Sequence, residues 1–237
     1  MTIQDRVVVV SGATGVLGRV VSKAFAEQGA KLALFGRKLE GLQEVAIDLG
    51  LSDKSTLLHA VDVNEPAGLK AAAEAVVAKF GRADVFLHLV GGWSGGKALV
   101  EVPAEDLKGM LDQHMWSVFY SIQAFVPHML KNKWGRVIAI SSPSASRATR
   151  VNSPYAVSKA ALEALFRALA FETKSTGVTA NLLLVNMIDT EHERDKSPSP
   201  EKLNWTTPEE IAAALLYLCS DEAHTVSGAR LPVYGIL

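Results

Sequence analysis

The chain lacks several features that would direct its interpretation elsewhere. Its 237 residues contain one cysteine, Cys219, so no internal disulfide can form, and its place at the end of an apolar segment favours a buried thiol over a nucleophile. Neither sign of charge prevails, because 24 lysines and arginines stand against 25 aspartates and glutamates. This balance gives no general electrostatic reason to bind nucleic acid or an anionic membrane. The expected partners are a small molecule or a second copy of the chain.

Long apolar runs are also missing. No stretch approaches the roughly 18 residues that a membrane-spanning helix needs, and the valine run at 7–10 is too short for the core of a signal peptide. We therefore expect a cytoplasmic protein. Low-complexity segments, sequence repeats and long linkers are absent as well, so residues 1–237 are expected to form a single domain.

Short β-branched runs alternate with helical segments along the chain. Strand-like runs stand at 7–11, 31–35, 56–60, 84–90, 136–140 and 178–185, with a last one in ARLPV, and helical segments stand at 16–28, 38–49, 67–79, 154–175 and 208–219. Because these strands are apolar throughout, helices should cover both faces of a parallel sheet. The pattern predicts a doubly wound α/β domain of the Rossmann type with three layers.

One segment breaks this alternation. Residues 189–205 are polar and charged and include two prolines. Such a segment is either a mobile loop over a site or a solvated connection, and both readings stay open. We take about 186–206 as a candidate substrate loop.

A glycine-rich loop joins the first predicted strand to the first helix. It reads S-G-A-T-G-V-L-G and contains Gly12, Gly15 and Gly18. At this position a pyrophosphate can bind the free backbone amides of the helix N-terminus, and glycine permits both the tight turn and the close approach. The strand–turn–helix context therefore indicates a dinucleotide site. A tight turn without a ligand is the alternative.

The end of the second strand bears on which dinucleotide is bound. An acidic residue there would hold the ribose hydroxyls and repel an added phosphate. Gly36 occupies that place instead, and the basic residues Arg37 and Lys38 follow it. Because arginine can bind phosphate with two donors, this favours NADP(H) over NAD(H), unless both are ordinary exposed residues that open a helix. Asp62, after the third strand, is either a contact to the adenine amino group or a turn residue.

The stretch from Ser141 to Leu165 carries an acid/base pair. Pro154 suits a first helical turn, and Ser153 is expected to cap the helix. Tyr155 and Lys159 then lie four residues apart on one face. An ammonium beside a phenol favours the phenolate, so we expect the pKa of Tyr155 to fall below its usual value of about 10.

Together these motifs resemble the short-chain dehydrogenase/reductase family, and the resemblance runs from Val7 to the C-terminus. Ser142 precedes Tyr155 by 13 residues, a spacing typical of that family. The resemblance implies that Tyr155 exchanges a proton with the substrate oxygen and that Ser142 hydrogen-bonds this oxygen. It further implies that Lys159 holds the nicotinamide ribose and lowers the pKa of the tyrosine.

The resemblance also implies sets of binding residues. The cofactor set is Gly12, Thr14, Gly15, Leu17, Gly18, Arg37, Asp62, Val63, Val90, Gly91, Tyr155, Lys159, Ile188 and Thr190. The expected substrate residues are Trp93, Ser142, Pro143 and Met187, with Val151 and Trp205 as further candidate walls. Aromatic residues in such loops serve equally often as packing anchors.

The chain departs from the family pattern at several places. The glycine loop is spaced G-x-x-G-x-x-G, the family's N-N-A-G reads H-L-V-G from His88 to Gly91, the usual proline–glycine pair is Val185 and Asn186, and the end of the chain is Y-G-I-L. His114 stands where the family places the asparagine of its catalytic tetrad. We consider two hypotheses for it, a proton-relay histidine and a hydrogen-bonded core histidine. Two histidines without a carboxylate or thiolate are a poor metal site, so no metal is predicted.

Three functions are compatible with this sequence. The first is an NADP(H)-dependent carbonyl reductase or alcohol dehydrogenase that acts on a small or medium-sized organic substrate. The second is a sensor or interaction protein that binds the dinucleotide and has lost catalysis, and the third is a lyase or epimerase. Apolar faces at 105–130 and 154–175, and small residues at Ala160, Ala164 and Ala168, also predict a homotetramer or homodimer.

Overall fold

The computed structural model describes residues 3–234 and has one central parallel sheet. Its seven strands are β1 (Val7–Ser11), β2 (Lys31–Gly36), β3 (Thr56–Ala60), β4 (Val85–His88), β5 (Gly135–Ser141), β6 (Val178–Leu184) and, numbered after two short strands described below, β9 (Arg230–Pro232). They lie in the order β3-β2-β1-β4-β5-β6-β9, and every pair of neighbours is parallel. The prediction of a doubly wound Rossmann-type sheet is confirmed.

The order of the strands reverses between β1 and β4. Chain connections run outward from β1 toward β3 on one side and from β4 toward β9 on the other. The loops that leave the carboxyl ends of β1 and β4 therefore diverge and leave a crevice between them, where ligands of such sheets bind.

Helices cover both faces of the sheet. They are α1 (Val16–Glu27), α2 (Leu39–Asp48), α3 (Pro66–Phe80), α4 (Ala104–Leu111), α5 (Ser117–Asn132), α6 (Ser153–Glu172), α7 (Glu193–Lys196) and α8 (Pro208–Cys219). A short π-helix, Asp112–Trp116, joins α4 to α5. Alternate strand residues point to opposite faces, so Val7 and Val9 pack in one core cluster and Val8 and Val10 in the other.

The helix that carries Tyr155 begins one residue earlier than predicted. Ser153 is its first residue, and Asn152 precedes it without a capping bond from its side chain. Within residues 3–234 the Ser153 hydroxyl has no hydrogen-bond partner. The prediction that Ser153 caps the helix is therefore wrong, and Pro154 occupies the first turn as expected.

The charged segment at 189–205 contains regular structure. Besides α7 it borders a two-stranded sheet formed by β7 (Met187–Ile188) and β8 (Trp205–Thr206). Arg194 donates to the Trp205 carbonyl at 2.8 Å and forms an ion pair with Glu210 of α8. The segment is thus attached to the body of the domain. Among the described helices none is long and apolar enough to cross a membrane.

Candidate active site

Two cavities adjoin one another at the carboxyl edge of the sheet. The first has a volume of about 630 Å³ and the second about 620 Å³, and both are lined by Leu89, Val90 and Gly91 after β4. Together they form one cleft across the crevice between β1 and β4. After the roles that the sequence predicts for the residues that line them, we refer to the first as the dinucleotide cavity and to the second as the catalytic cavity.

The dinucleotide cavity contains most of the predicted cofactor residues. Its lining includes Gly12, Thr14, Gly15, Arg37, Asp62, Val63, Val90 and Gly91. Leu17 and Ile188 line the catalytic cavity, as do Tyr155 and Lys159. Gly18 and Thr190 line neither one. Thr190 donates its backbone N–H to the Ile188 carbonyl at 3.1 Å.

The glycine loop is shaped by steric exclusion. Gly12 has a φ of +81°, which L side chains rarely adopt, and a Cβ there would meet the Leu89 backbone at 3.0 Å. A Cβ on Gly18 would lie 2.2 Å from the Gly12 carbonyl oxygen, whereas on Gly15 its nearest contact is 3.5 Å. Gly15 precedes α1 without any side-chain cap. The first-turn amides of α1 are therefore open to an anion, which fits a pyrophosphate.

The far end of this cavity carries the basic residue. Arg37 follows β2, is exposed, and forms no hydrogen bond or ion pair within the described part of the chain. Asp62 accepts the backbone N–H of Asn64 at 2.9 Å. Its second oxygen is available, so the turn and ligand interpretations of Asp62 are compatible.

The catalytic cavity brings Ser142, Tyr155 and Lys159 together. Ser142 immediately follows β5, and its hydroxyl is hydrogen-bonded to the Tyr155 phenol. The Lys159 ammonium lies 5.6 Å from the centre of the Tyr155 ring and donates to the Ile140 carbonyl at 2.9 Å. One cavity thus presents a hydroxyl donor, a phenol and an ammonium to the same space.

Burial governs the protonation of this pair. Burial lowers the pKa of Lys159 to about 7, and the charge of Glu163 partly opposes this effect. Burial also raises the pKa of Tyr155, while its bond to Ser142 lowers it. The expectation of a depressed tyrosine pKa is therefore wrong for this structure. The physical reason is that burial of the phenol disfavours its charged form by more than the Ser142 hydrogen bond favours it.

His114 lies behind the catalytic cavity, in the π-helix. It is 1% exposed, and both ring nitrogens are bonded. Its Nε2 accepts the Gly92 N–H at 3.3 Å, so Nδ1 carries the proton and donates to Ser158 Oγ at 2.9 Å. Burial, then the charge of Lys159, lowers the pKa of His114 to about 2. The ring also packs edge-on against Tyr155, with centroids 5.6 Å apart.

His88 replaces the first asparagine of the family pattern with a different network. Its Nδ1 lies 3.2 Å from Ser11 Oγ and its Nε2 lies 3.2 Å from Ser117 Oγ. Ser117 donates to the Gln113 carbonyl at 2.7 Å, so its oxygen is free to accept from His88. Burial is the largest cause that lowers the pKa of His88 to about 3. The imidazole joins β1, β4 and α5 through neutral hydrogen bonds.

The predicted substrate residues fall into two groups. Trp93, Ser142, Val151 and Met187 line the catalytic cavity, whereas Pro143 and Trp205 do not. Val151 has a φ of +61°, which is unusual for a β-branched residue and marks local strain. Its carbonyl accepts the Gly96 N–H at 2.7 Å, so the loop that carries Trp93 is tied to the loop before α6.

Sequence reasoning missed several supporting residues. Ser158 bonds His114 and also donates to the Tyr155 carbonyl at 2.8 Å. Asn152 accepts from Thr149 N–H and donates to Ser144 Oγ, and thereby fixes the loop before α6. Glu163 is a buried charge on α6. Only Glu163 gave a usable signal, as an acidic residue one helical turn after Lys159.

Two other features of residues 3–234 do not offer comparable chemistry. A groove of about 930 Å³ lies at the opposite edge of the sheet and includes Trp134 and Arg136, but the Arg136 guanidinium donates to the carbonyls of Gly135 and Gly177. Burial raises the pKa of the Cys219 thiol, as expected for a core residue. Residues 3–234 contain no group of three or more His, Cys, Asp and Glu side chains that could hold a metal ion.

Comparison with known proteins agrees with this geometry. The model of a family described as "Enoyl-(Acyl carrier protein) reductase" matches residues 12–235. The chain is 28% identical to the 3-oxoacyl-(acyl-carrier-protein) reductase FabG of Escherichia coli K12, over 99% of this chain and 98% of that protein. It is 30% identical to D-threitol dehydrogenase of Mycolicibacterium smegmatis, over 98% and 93%.

A solved structure is similar over the whole length. The crystal structure of L-sorbose reductase from Gluconobacter frateurii, complexed with NADPH and L-sorbose, superposes with a TM-score of 0.87 at 26% identity. The similarity covers 100% of this chain and 97% of the reductase. The fold, the full-length match and these relatives show that the chain belongs to the short-chain dehydrogenase/reductase family of oxidoreductases.

Proposed function

We propose that the protein is an NADP(H)-dependent oxidoreductase that interconverts a carbonyl and a hydroxyl group on a small or medium-sized organic substrate. The observation that carries this proposal is the shared cavity of Ser142, Tyr155 and Lys159, which opens directly onto the glycine-loop cavity. A dinucleotide along that cleft would place its reactive end beside a proton donor.

Each side chain has a distinct role in this proposal. The Tyr155 phenol gives its proton to the carbonyl oxygen in reduction and takes it back in oxidation. Its raised pKa keeps the phenol protonated at neutral pH, which suits the reductive direction. Ser142 donates a hydrogen bond to the same oxygen, and Lys159 binds the ribose. The bound dinucleotide supplies or accepts the hydride.

The preference for NADP(H) rests on Arg37. It lines the dinucleotide cavity with an unpaired guanidinium, and Gly36 leaves no carboxylate at the end of β2. The sorbose reductase structure contains NADPH. We expect Arg37→Gln to weaken NADPH binding by roughly tenfold or more and to leave NADH binding within about threefold. Equal losses for both cofactors in a fluorescence titration would refute the preference.

For His114 the relay hypothesis can be separated from a positioning role. A relay needs a ring nitrogen that can exchange its proton, but Nε2 is held by the Gly92 N–H, which cannot accept one. We therefore favour a neutral imidazole that fixes Gly92 and Ser158 around Tyr155. His114→Asn and His114→Ala distinguish the two. A relay requires a change in the pH profile of turnover, whereas positioning predicts a lower rate with an unchanged profile.

The second candidate function is a dinucleotide-binding sensor without catalysis. It is motivated by the altered H-L-V-G segment and by His114. The three catalytic side chains and their shared cavity argue against it. A screen of sugars, ketones, quinones and 3-oxoacyl thioesters, which follows NADPH absorbance, decides between them. Turnover on any of these carbonyl classes supports the oxidoreductase, and tight NADPH binding without turnover on all of them favours the sensor.

We also propose that the protein works in the cytoplasm as a homodimer or homotetramer. On α6 the small residues Ala164 and Ala168 are exposed, and Val157 and Trp116 nearby are partly exposed apolar side chains. Such a face permits close approach of a second helix pair. Light scattering at micromolar concentration that finds monomer alone would contradict the assembly.

A further inference from the structure

Glu163 is a buried carboxylate on the helix that carries the catalytic pair. It lies one turn beyond Lys159 and two turns beyond Tyr155, and only 3% of its surface is exposed. Residues four apart on a helix share a face, with Cβ atoms about 6 Å apart. A carboxylate removed from water is costly unless it has partners. Glu163 therefore needs hydrogen-bond or ion-pair partners in the fold.

Its principal partner comes from the strand at the edge of the sheet. Arg230 of β9 places Nε 2.8 Å from Glu163 Oε2, and its Nη2 donates to Oε1 at 3.2 Å. This two-point contact is the stronger arrangement of a guanidinium and a carboxylate. The Ser141 hydroxyl also donates to Oε1, at 2.9 Å. Three donors thus satisfy the buried carboxylate.

The same contacts hold both ends of the turn that begins with Ser142. Ser141 is the last residue of β5 and directly precedes Ser142. Beyond the short 3₁₀ helix Pro143–Ala145, Ser146 accepts a hydrogen bond from Arg230 Nη2 at 3.2 Å. The ion pair therefore bridges the chain on either side of Ser142, which the proposed function assigns to the substrate oxygen.

The pair also contributes charge beside Lys159. No carboxylate of residues 3–234 lies within ion-pair distance of the Lys159 ammonium, which bonds a backbone carbonyl instead. The other titratable groups around it are Tyr155, His114 and His88, and burial keeps both imidazoles neutral. Burial lowers the pKa of Lys159, and the Glu163 charge is the cause that raises it. Arg230 neutralises part of the Glu163 charge through its ion pair.

We propose that Glu163 and Arg230 are positioning residues of the active site, which clamp the turn at Ser142 and set the charge that Lys159 experiences. The proposal rests on the proposed function in assigning Ser142 and Lys159 to the active site. Loss of Glu163 removes the negative charge that acts on Lys159 and leaves Arg230 without its carboxylate partner. Loss of Arg230 leaves Glu163 as a bare anion. The two losses therefore act on Lys159 with opposite sign.

The test is the titration of Lys159 in the folded protein without substrate. Protein carrying ¹³C at the lysine Cε is titrated by NMR, and Lys159→Met identifies the signal of Lys159. Glu163→Gln should lower the midpoint by about half a pH unit or more. Arg230→Gln should leave it at or above the parental midpoint. A midpoint that does not fall in Glu163→Gln, or that falls in both variants, overturns the proposal.

Two control variants separate charge from shape. Arg230→Lys retains the cation and should keep the midpoint within about 0.3 pH unit of the parent. Asp48→Asn breaks the exposed Arg19–Asp48 pair, whose atoms are 2.7 Å apart, and should leave the midpoint unchanged. If Arg230→Gln does not fold, the result for Glu163→Gln decides alone.

This readout is independent of the proposed activity. A protein that binds NADPH but turns over no carbonyl would refute the oxidoreductase and leave the Lys159 titration as a valid test. Where turnover is found, Ser141→Ala should lower kcat by roughly threefold to tenfold with less effect on KM, because it loosens Ser142 without altering any charge. An unchanged kcat would refute the clamp.

Discussion

The two halves of the sheet contribute to the cleft in different ways. On the side of β1–β3 the cleft is built largely from backbone, because Gly12 and Gly18 stand where a side chain would be strained or would clash with the loop. On the side of β4–β6 it is built from buried polar side chains, among them His88, His114 and Lys159, each of which is hydrogen-bonded to a serine or to a backbone group. The first half requires glycines without a Cβ, and the second half requires specific polar side chains with matched hydrogen-bond partners.

This difference explains where the chain departs from its family. The glycine spacing has changed, yet the steric requirement at Gly18 is still met. In the other half, histidines stand where the family pattern has asparagines, and each histidine forms its own hydrogen bonds. His88 is hydrogen-bonded to Ser11 and Ser117. His114 is hydrogen-bonded to Ser158 and to the Gly92 amide. The asparagine side chains of the family pattern are thus replaced by a histidine–serine network that leaves no ring nitrogen unbonded.

The largest predicted effect concerns the backbone half. Gly18→Ala places a methyl group 2.2 Å from the Gly12 carbonyl oxygen, so the loop must shift. We expect it to lower the free energy of unfolding by about 3 kcal/mol and to weaken NADPH binding by more than tenfold. Gly15→Ala is the matched control, because its Cβ meets ordinary contact distances, and its free energy of unfolding should change by under about 0.5 kcal/mol. Urea denaturation of both variants measures this contrast, and equal losses would contradict it.

The side-chain half should be sensitive to acid. The folded-state pKa values of His88 and His114 are about 3 and about 2, below the usual 6.5. Their neutral burial therefore contributes stability that is present above about pH 6.5 and is lost as the pH falls toward the folded values, because only the unfolded chain takes up protons in that window.

Between about pH 7.5 and about pH 5.5, the free energy of unfolding should fall by roughly 1.4 kcal/mol for each histidine. Urea unfolding at both pH values measures it. His88→Asn and His114→Asn should each remove about half of the combined loss. An identical pH dependence in the double variant would show that these two groups do not control acid stability.

A smaller effect is expected at Lys159, where substitution should stabilise the fold. Its folded pKa of about 7 lies below the usual 10.5, so the buried lysine destabilises the fold as the pH falls from about 10.5 toward 7. Lys159→Met removes this cost and leaves the Ile140 carbonyl without its donor. We expect a net gain of about 1–2 kcal/mol in the free energy of unfolding at neutral pH, together with loss of turnover. A less stable variant would refute the electrostatic cost.

The sequence predicted the backbone half more completely than the side-chain half. Glycine positions, the alternation of strands and helices and the Tyr155–Lys159 spacing follow from local pattern. The Glu163–Arg230 pair joins residues 67 positions apart, and the partners of His88 come from β1 and α5. Such bonds depend on packing that no local pattern encodes. The predicted direction of the Tyr155 pKa was wrong for a related reason, since burial of the phenol raises its pKa by more than the Ser142 hydrogen bond lowers it.

The central claim is that one half of the cleft binds the dinucleotide and the other performs the proton transfer. Tyr155→Phe tests it most directly, with NADPH affinity and carbonyl turnover measured on the same preparation. Because the substitution removes one hydroxyl and keeps the ring, we predict an NADPH Kd within about threefold of the parent and a kcat lower by roughly 10²–10⁴-fold. Retained turnover, or loss of NADPH binding in step with turnover, would contradict the claim.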